Sequence, residues 1–177
     1  TKYGHISNWD VSQVTNMKSL FSGRIGNGQF NEDISNWDTS NVTDMTQMFI
    51  ENTKFDQSIG NWDTSKVIIM NAMFYGSKFN QPINSWDVSS VTSMKSMFQY
   101  NSAFNQPLDQ WDVSSVTTIS QIFAGVQNQF NQDISMWDVS NIISADGFQG
   151  YGNNNPSHSS DLFTNNDPLY FTILQSI

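Results

Sequence analysis

Six aspartates, Asp10, Asp38, Asp63, Asp87, Asp112 and Asp138, each follow a tryptophan and each precede a serine by two positions. A carboxylate in the frame Asp-x-Ser has one routine use and two demanding ones. The routine use is an Asx turn, in which the side chain accepts the backbone N–H two residues on. Calcium binding is the first demanding use, because a hard cation collects several oxygen ligands. Glycoside hydrolysis is the second, and it needs one protonated and one ionised carboxyl, hence two unlike environments. A periodic ladder gives its members near-identical surroundings. The Asx turn is therefore the expected role, with calcium as the metal alternative, no other cofactor, and no enzyme activity.

The residues just before tryptophan, Asn8, Asn36, Asn61, Ser85, Gln110 and Met136, stand beside that ladder. With tryptophan pointing inward, alternation puts both columns outward at a repeat spacing of about 4.8 Å. The result is a polar strip suited to hydrogen-bonding a protein or glycan surface. A second column, Asn31, Asp56, Asn80, Asn105 and Asn131, reads as structural, its side chains satisfying backbone groups of adjacent repeats. Thr15, Thr43, Thr92 and Thr117 suggest a water-ordering array, but Ile68 and Ile143 interrupt it and the idea is set aside. His5 and His158 sit near opposite ends and read as surface residues, and Asn41-Val-Thr43 is a lone glycosylation sequon.

Composition narrows the partners. The 177 residues carry 16 Asp+Glu against 7 Lys+Arg, a formal charge of −9. No Lys or Arg occurs after Lys95. Nucleic acid and anionic membrane surfaces, which demand clustered cations, are not expected partners. There is no cysteine, which excludes disulfides, thiolate nucleophiles and Cys-ligated zinc. No apolar run approaches the roughly 20 residues of a membrane span, and no secretion signal is read. Direct membrane insertion is not expected, and the chain reads either as a mature or trimmed fragment or as one that never had a signal.

The elements that must position these columns follow from the repeat. Trp9, Trp37, Trp62, Trp86, Trp111 and Trp137 are spaced by 28, 25, 24, 25 and 26 residues. Five of them are followed twelve positions on by Phe21, Phe49, Phe74, Phe98 and Phe123, and five are preceded by seven by Phe30, Phe55, Phe79, Phe104 and Phe130. Only the stretches between these frames vary, from four to eight residues, which marks a surface loop at one corner. Alternation around tryptophan predicts a short strand, and Val42, Met45, Met48 and Phe49 show the spacing of a short helix capped by Ser40 or Thr43. Seven of eight methionines fall in that apolar frame and read as core. The expectation is an α/β protein, a solenoid of about six strand-turn-helix coils of about 25 residues. Residues 1–148 would form the repeats. Residues 149–177 would form a polar linker and a C-terminal cap or docking tail. The last frame looks eroded, with Ala145 and Phe148 one position out of step.

The phrases FNQPINSWDVSSVTSMKSMF and FNQPLDQWDVSSVTTISQIF resemble the roughly 26-residue bacterial surface-protein repeat, a branch of the BspA-like leucine-rich repeats found in mycoplasma and Listeria-type surface proteins. The resemblance runs over about residues 3 to 148, with the FNQ, WDVS, VT and MF elements recurring together. It implies a right-handed solenoid, extracellular or cell-surface exposure, and adhesion or recognition without catalytic residues. The rival expectation is a structural building block of a capsid, coat or filament, located in a virion or filament and assembled by contacts with itself or neighbouring subunits.

Overall fold

The structure is a computed structural model, and it describes residues 3–26, 28–125 and 130–148. Among these residues the regular elements are a 3-10 turn over Ile6–Asn8 and one α-helical turn over Gly23–Gly26. Parallel pairing is confined to isolated bridges running Asn16, Asp44, Ile69, Ser93, Thr118, Ser144, one residue per repeat. The expected α/β class, with strand-turn-helix coils of leucine-rich-repeat type, is therefore overturned. Among the described residues no helix forms over Val42, Met45, Met48 and Phe49 or their equivalents, no strand contains a tryptophan, and there is nothing for Ser40 or Thr43 to cap.

The hydrogen bonds show what replaces the helix. In the second repeat, Met48 N–H, Ile50 N–H and Asn52 N–H each donate to the carbonyl three residues back, on Met45, Gln47 and Phe49. The intervening Met45, Gln47, Phe49 and Glu51 N–H groups donate instead to Ile69, Asn71, Met73 and Tyr75 of the next repeat. Overlapping β-turns thus alternate with bonds between repeats, and no N–H is left for an i to i−4 ladder. Successive turns also bring residues three apart to one side, which is why the apolar spacing imitated a helix.

The first of these turns places its third residue in the left-handed region. Ser19, Gln47, Ala72, Ser96 and Gln121, each ten after a tryptophan, have φ between 53° and 58°. In the last repeat the same place is held by Gly147, with φ of 60°. A side chain in this conformation is strained, and glycine is not. Ala72→Gly should accordingly raise stability by about 1 kcal/mol, or roughly 2–4 °C in Tm. Thermal melting reads the shift, and a lower Tm would contradict the turn geometry.

Around the tryptophans the backbone makes no ladder among the described residues. Trp37 N–H closes a turn on Ile34 O, and Val42 N–H closes another on Thr39 O, a pattern repeated along the chain. Side chains join the repeats here. Each indole Nε1 donates to the preceding repeat: Trp37 to Ile6 O, Trp62 to Ile34 O, Trp86 to Ile59 O, Trp111 to Ile83 O and Trp137 to Leu108 O, at 2.9–3.1 Å. These five tryptophans are only 2–5% exposed, whereas Trp9 is 45% exposed and donates to Tyr3 O.

The core is two columns of stacked phenylalanines beside the methionines. Phe21, Phe49, Phe74, Phe98 and Phe123 stack at 5.6–5.7 Å between neighbours. Phe30, Phe55, Phe79, Phe104 and Phe130 stack at 5.9–6.3 Å. Across the columns, the two rings that bracket each variable loop lie 3.7–4.2 Å apart. Each loop is closed at its base by a ring pair, so its length can change without disturbing the stack. Met17, Met45, Met48, Met70, Met73, Met94 and Met97 are buried, as the core reading expected. Ala145 keeps the first methionine place, so it is in register. Phe148 takes the second methionine place and meets Phe123 edge-on at 6.0 Å. The linker and cap or docking tail expected over residues 149–177, with His158 in it, lie outside the described residues.

Candidate functional site

Every aspartate of the ladder accepts the N–H of the serine two residues on, at 3.0 Å: Ser12 to Asp10, Ser40 to Asp38, Ser65 to Asp63, Ser89 to Asp87, Ser114 to Asp112 and Ser140 to Asp138. The hydroxyls of Ser65, Ser89 and Ser114 add bonds of 2.6 Å to the same Oδ1 atoms. The routine reading of Asp-x-Ser is the one the structure contains. These bonds favour the ionised form. Serine hydroxyl and then backbone N–H hold the Asp10, Asp38, Asp63, Asp112 and Asp138 carboxyls below the ordinary range. Repulsion from Asp10 and Asp63 works against this at Asp38 but is the smaller effect.

The sign of the pH dependence follows. A carboxyl with a depressed folded-state pKa stabilises the fold above its unfolded value, near 3.9, and that contribution is lost as pH falls through the folded value. Tm should therefore be level from neutral pH to about pH 5 and fall below about pH 4. Changing the ladder residues to asparagine, which preserves the Asx acceptor, should flatten the acid limb; an unchanged limb would count against this origin.

Both columns of the predicted strip are on the surface. Asn8, Asn36, Asn61, Ser85, Gln110 and Met136 are exposed, as are Asp10, Asp38, Asp63, Asp87, Asp112 and Asp138. The alternation of exposed, buried, exposed and buried residues from the position before tryptophan to the second after it holds from the second repeat onward. Ser85 Oγ donates to Gly60 O at 2.9 Å, while Gln110 N–H is taken by Asn84 Oδ1 at 3.1 Å. Met136, 81% exposed, breaks the polar run at the last repeat. At the first repeat, Tyr3, Asn8, Trp9 and Asp10 line an open hollow of about 550 Å³. Among the described residues, no group of three or more His, Asp or Glu side chains could hold a metal ion.

The amide column is structural, as expected. Asn31 Oδ1 accepts Asp56 N–H, Asp56 Oδ1 accepts Asn80 N–H, Asn80 Oδ1 accepts Asn105 N–H and Asn105 Oδ1 accepts Asn131 N–H, at 2.9–3.0 Å. Asn41 of the sequon is also engaged, donating from Nδ2 to Ser12 O at 2.9 Å. Exposed His5 meets Glu32 Oε2 at 3.2 Å.

Sequence reasoning missed three polar devices. The first is the indole ladder. The second is Thr39 and Thr64, whose buried hydroxyls donate to Asp63 O and Asp87 O at 2.9 Å. Their signal was visible, since WDTS replaces WDVS in just those two repeats. The third is a pair of fully buried asparagines, Asn52 and Asn101, each fifteen after a tryptophan. Among the described residues, no buried side-chain nitrogen or oxygen lacks a partner.

A family model described as "Mycoplasma protein of unknown function, DUF285" matches residues 1–78 and 58–160. No curated protein and no solved structure matches the chain.

Proposed function

Because the chain belongs to the Mycoplasma family of unknown function DUF285, we propose its role from the surface its repeats present: non-catalytic recognition of a protein or glycan by the Asn/Asp strip. The observation that carries this is the strip itself, exposed from Asn36 and Asp38 to Gln110 and Asp112 without an intervening cation in either column. The turn bonds of each aspartate end on Oδ1. The second oxygen is thereby available to a donor from outside. Glycan hydroxyls and the Lys or Arg side chains of a protein are the donors such a row suits. Six ladder carboxylates that each accept the N–H of the serine two residues on have like surroundings and form no acid–base pair of unlike members, which supports a role without catalysis.

The finer kinship we infer is with bacterial surface-protein repeats, on the FNQ, WDVS, VT and MF elements and without the leucine-rich-repeat fold. An extracellular or cell-surface location goes with that reading. Among the described residues, no helix is long and apolar enough to cross a membrane.

The test exploits the Asx geometry. Asp63→Asn, Asp87→Asn and Asp112→Asn together keep the turn acceptor and remove three charges. Binding to a glycan array and to host-cell surfaces should fall about tenfold or more, while the chain stays folded at neutral pH with its melting temperature lowered only toward the value the parent shows on its acid limb. Undiminished binding by the triple variant would remove the strip from the proposal.

A further inference from the structure

We infer that the corner of the variable loops is a second recognition site, a basic and aromatic platform for an acidic sugar of a polysaccharide. It lies outside the Asn/Asp strip and does not depend on that reading. The loops are residues 22–29, 50–54, 75–78, 99–103 and 124–129, and they hold Arg24, Lys54 and Lys78 against Glu51 as the single acid. A chain of formal charge −9 thus carries a cationic corner. Lys54 and Lys78 each immediately precede a ring of the second column, Phe55 or Phe79, and those rings stack at 6.0 Å. The two lysines therefore stand on neighbouring repeats at one position. Both are exposed, and neither has an ion-pair partner among the described residues. Like charges set side by side repel, and a bound anion relieves this.

Tyrosines complete the platform. Tyr75 opens the four-residue loop that Lys78 closes, and the base of that loop is the Phe74–Phe79 ring pair at 4.2 Å. Tyr75 meets Tyr100 of the next loop edge-on, with centroids 5.4 Å apart and rings at 85°. The Arg24 guanidinium stands 5.8 Å from the Tyr75 ring and bonds Glu51 Oε1 at 2.6 and 2.9 Å, which fixes it there. Tyr100 is 50% exposed and holds φ of 56°, at a place fourteen after tryptophan that Gly76 and Gly125 fill in the flanking repeats. Glycine meets the backbone's need there, so the tyrosine ring is a feature that the fold itself does not require. A tyrosine face takes the C–H face of a sugar ring, while its hydroxyl and the lysines of the same corner take hydroxyl and carboxylate oxygens. Two lysines are too few for a phosphate backbone, which many cations must neutralise.

Titration calorimetry of the full chain with oligogalacturonate and with heparin tests this, with dextran and a single-stranded oligonucleotide as comparisons. Saturable binding of at least one acidic glycan is expected, with dextran and the oligonucleotide bound about tenfold or more weakly. The double variant Lys54→Gln/Lys78→Gln should weaken that binding about fivefold or more. Tyr100→Gly should do the same while its melting temperature stays close to the parent's, because relieved strain offsets the lost ring contact. Lys66, whose Nζ bonds Asn41 Oδ1 at 2.8 Å, lies outside the loops. Lys66→Gln should therefore leave binding within about twofold. Binding of neither acidic glycan, dextran or oligonucleotide bound as tightly, binding unchanged in the double variant or in Tyr100→Gly, or an equal loss in Lys66→Gln would overturn the inference.

Discussion

Phe74→Ala should destabilise the chain by about 3–5 kcal/mol, a large part of the 5–15 kcal/mol that holds an ordinary domain together. Phe74 is fully buried and its ring lies 5.6 Å from Phe49, 4.2 Å from Phe79, 6.4 Å from Trp86 and 5.7 Å from Phe98. Truncation removes a link from the first column and the base of one loop together. The surrounding rings are held by their own repeats and cannot collapse into the space. Position matters as well as chemistry. In stacked repeats each unit leans on its neighbours, so a break at the centre severs the stack while one at the end frays it. Phe21→Ala, at the half-buried first ring, should therefore cost less than half as much. Urea unfolding followed by tryptophan fluorescence measures both, and equal costs at the two positions would contradict cooperative stacking.

Asn101→Ala should cost about 3 kcal/mol or more, through polar groups rather than a cavity. Asn101 is completely buried; its Oδ1 accepts the N–H groups of Ala103 and Phe104 at 2.9 Å. Its Nδ2 donates to Ser77 Oγ at 3.0 Å and to Phe79 O at 3.2 Å. Alanine would leave two backbone donors buried without an acceptor, and water cannot reach them cheaply. Serine stands at the equivalent place in the third repeat, where Ser77 Oγ accepts Phe79 N–H at 3.4 Å. Asn101→Ser should consequently recover a third or more of the loss. The same urea titration reads both variants, and a serine variant as damaged as the alanine one would mean that volume, not hydrogen bonding, sets the cost.

The two positions differ in how they could be found. Phe74 belongs to a column that recurs in five repeats and announces itself. Asn101 shares its place, fifteen after a tryptophan, with Arg24, Asn52 and Ser77, a mixed set inside the variable loops, where no recurring residue type draws attention to it. The candidate strip was legible for the first reason. Tryptophan recurs six times with polar residues on either side, and burying an indole at every turn leaves those neighbours no place but the surface.

The amino-acid sequence by itself therefore determined the register of the repeats, the inward residues, the Asx role of Asp10 through Asp138, and the corner where length varies. Each is a local consequence of side-chain type at a fixed spacing. Tertiary structure alone decided between a helix and a run of β-turns in Val42, Met45, Met48 and Phe49. Apolar residues three apart suit both. The choice falls to the N–H groups of Met45, Gln47, Phe49 and Glu51, which find carbonyls in the next repeat rather than in their own. Those partners lie about 25 residues away and exist only once the repeats have stacked. The left-handed residue that makes the turns possible is Gln47 in one repeat and Ala72 in the next. Neither residue type signals that conformation, which the bonds to the neighbouring repeat impose.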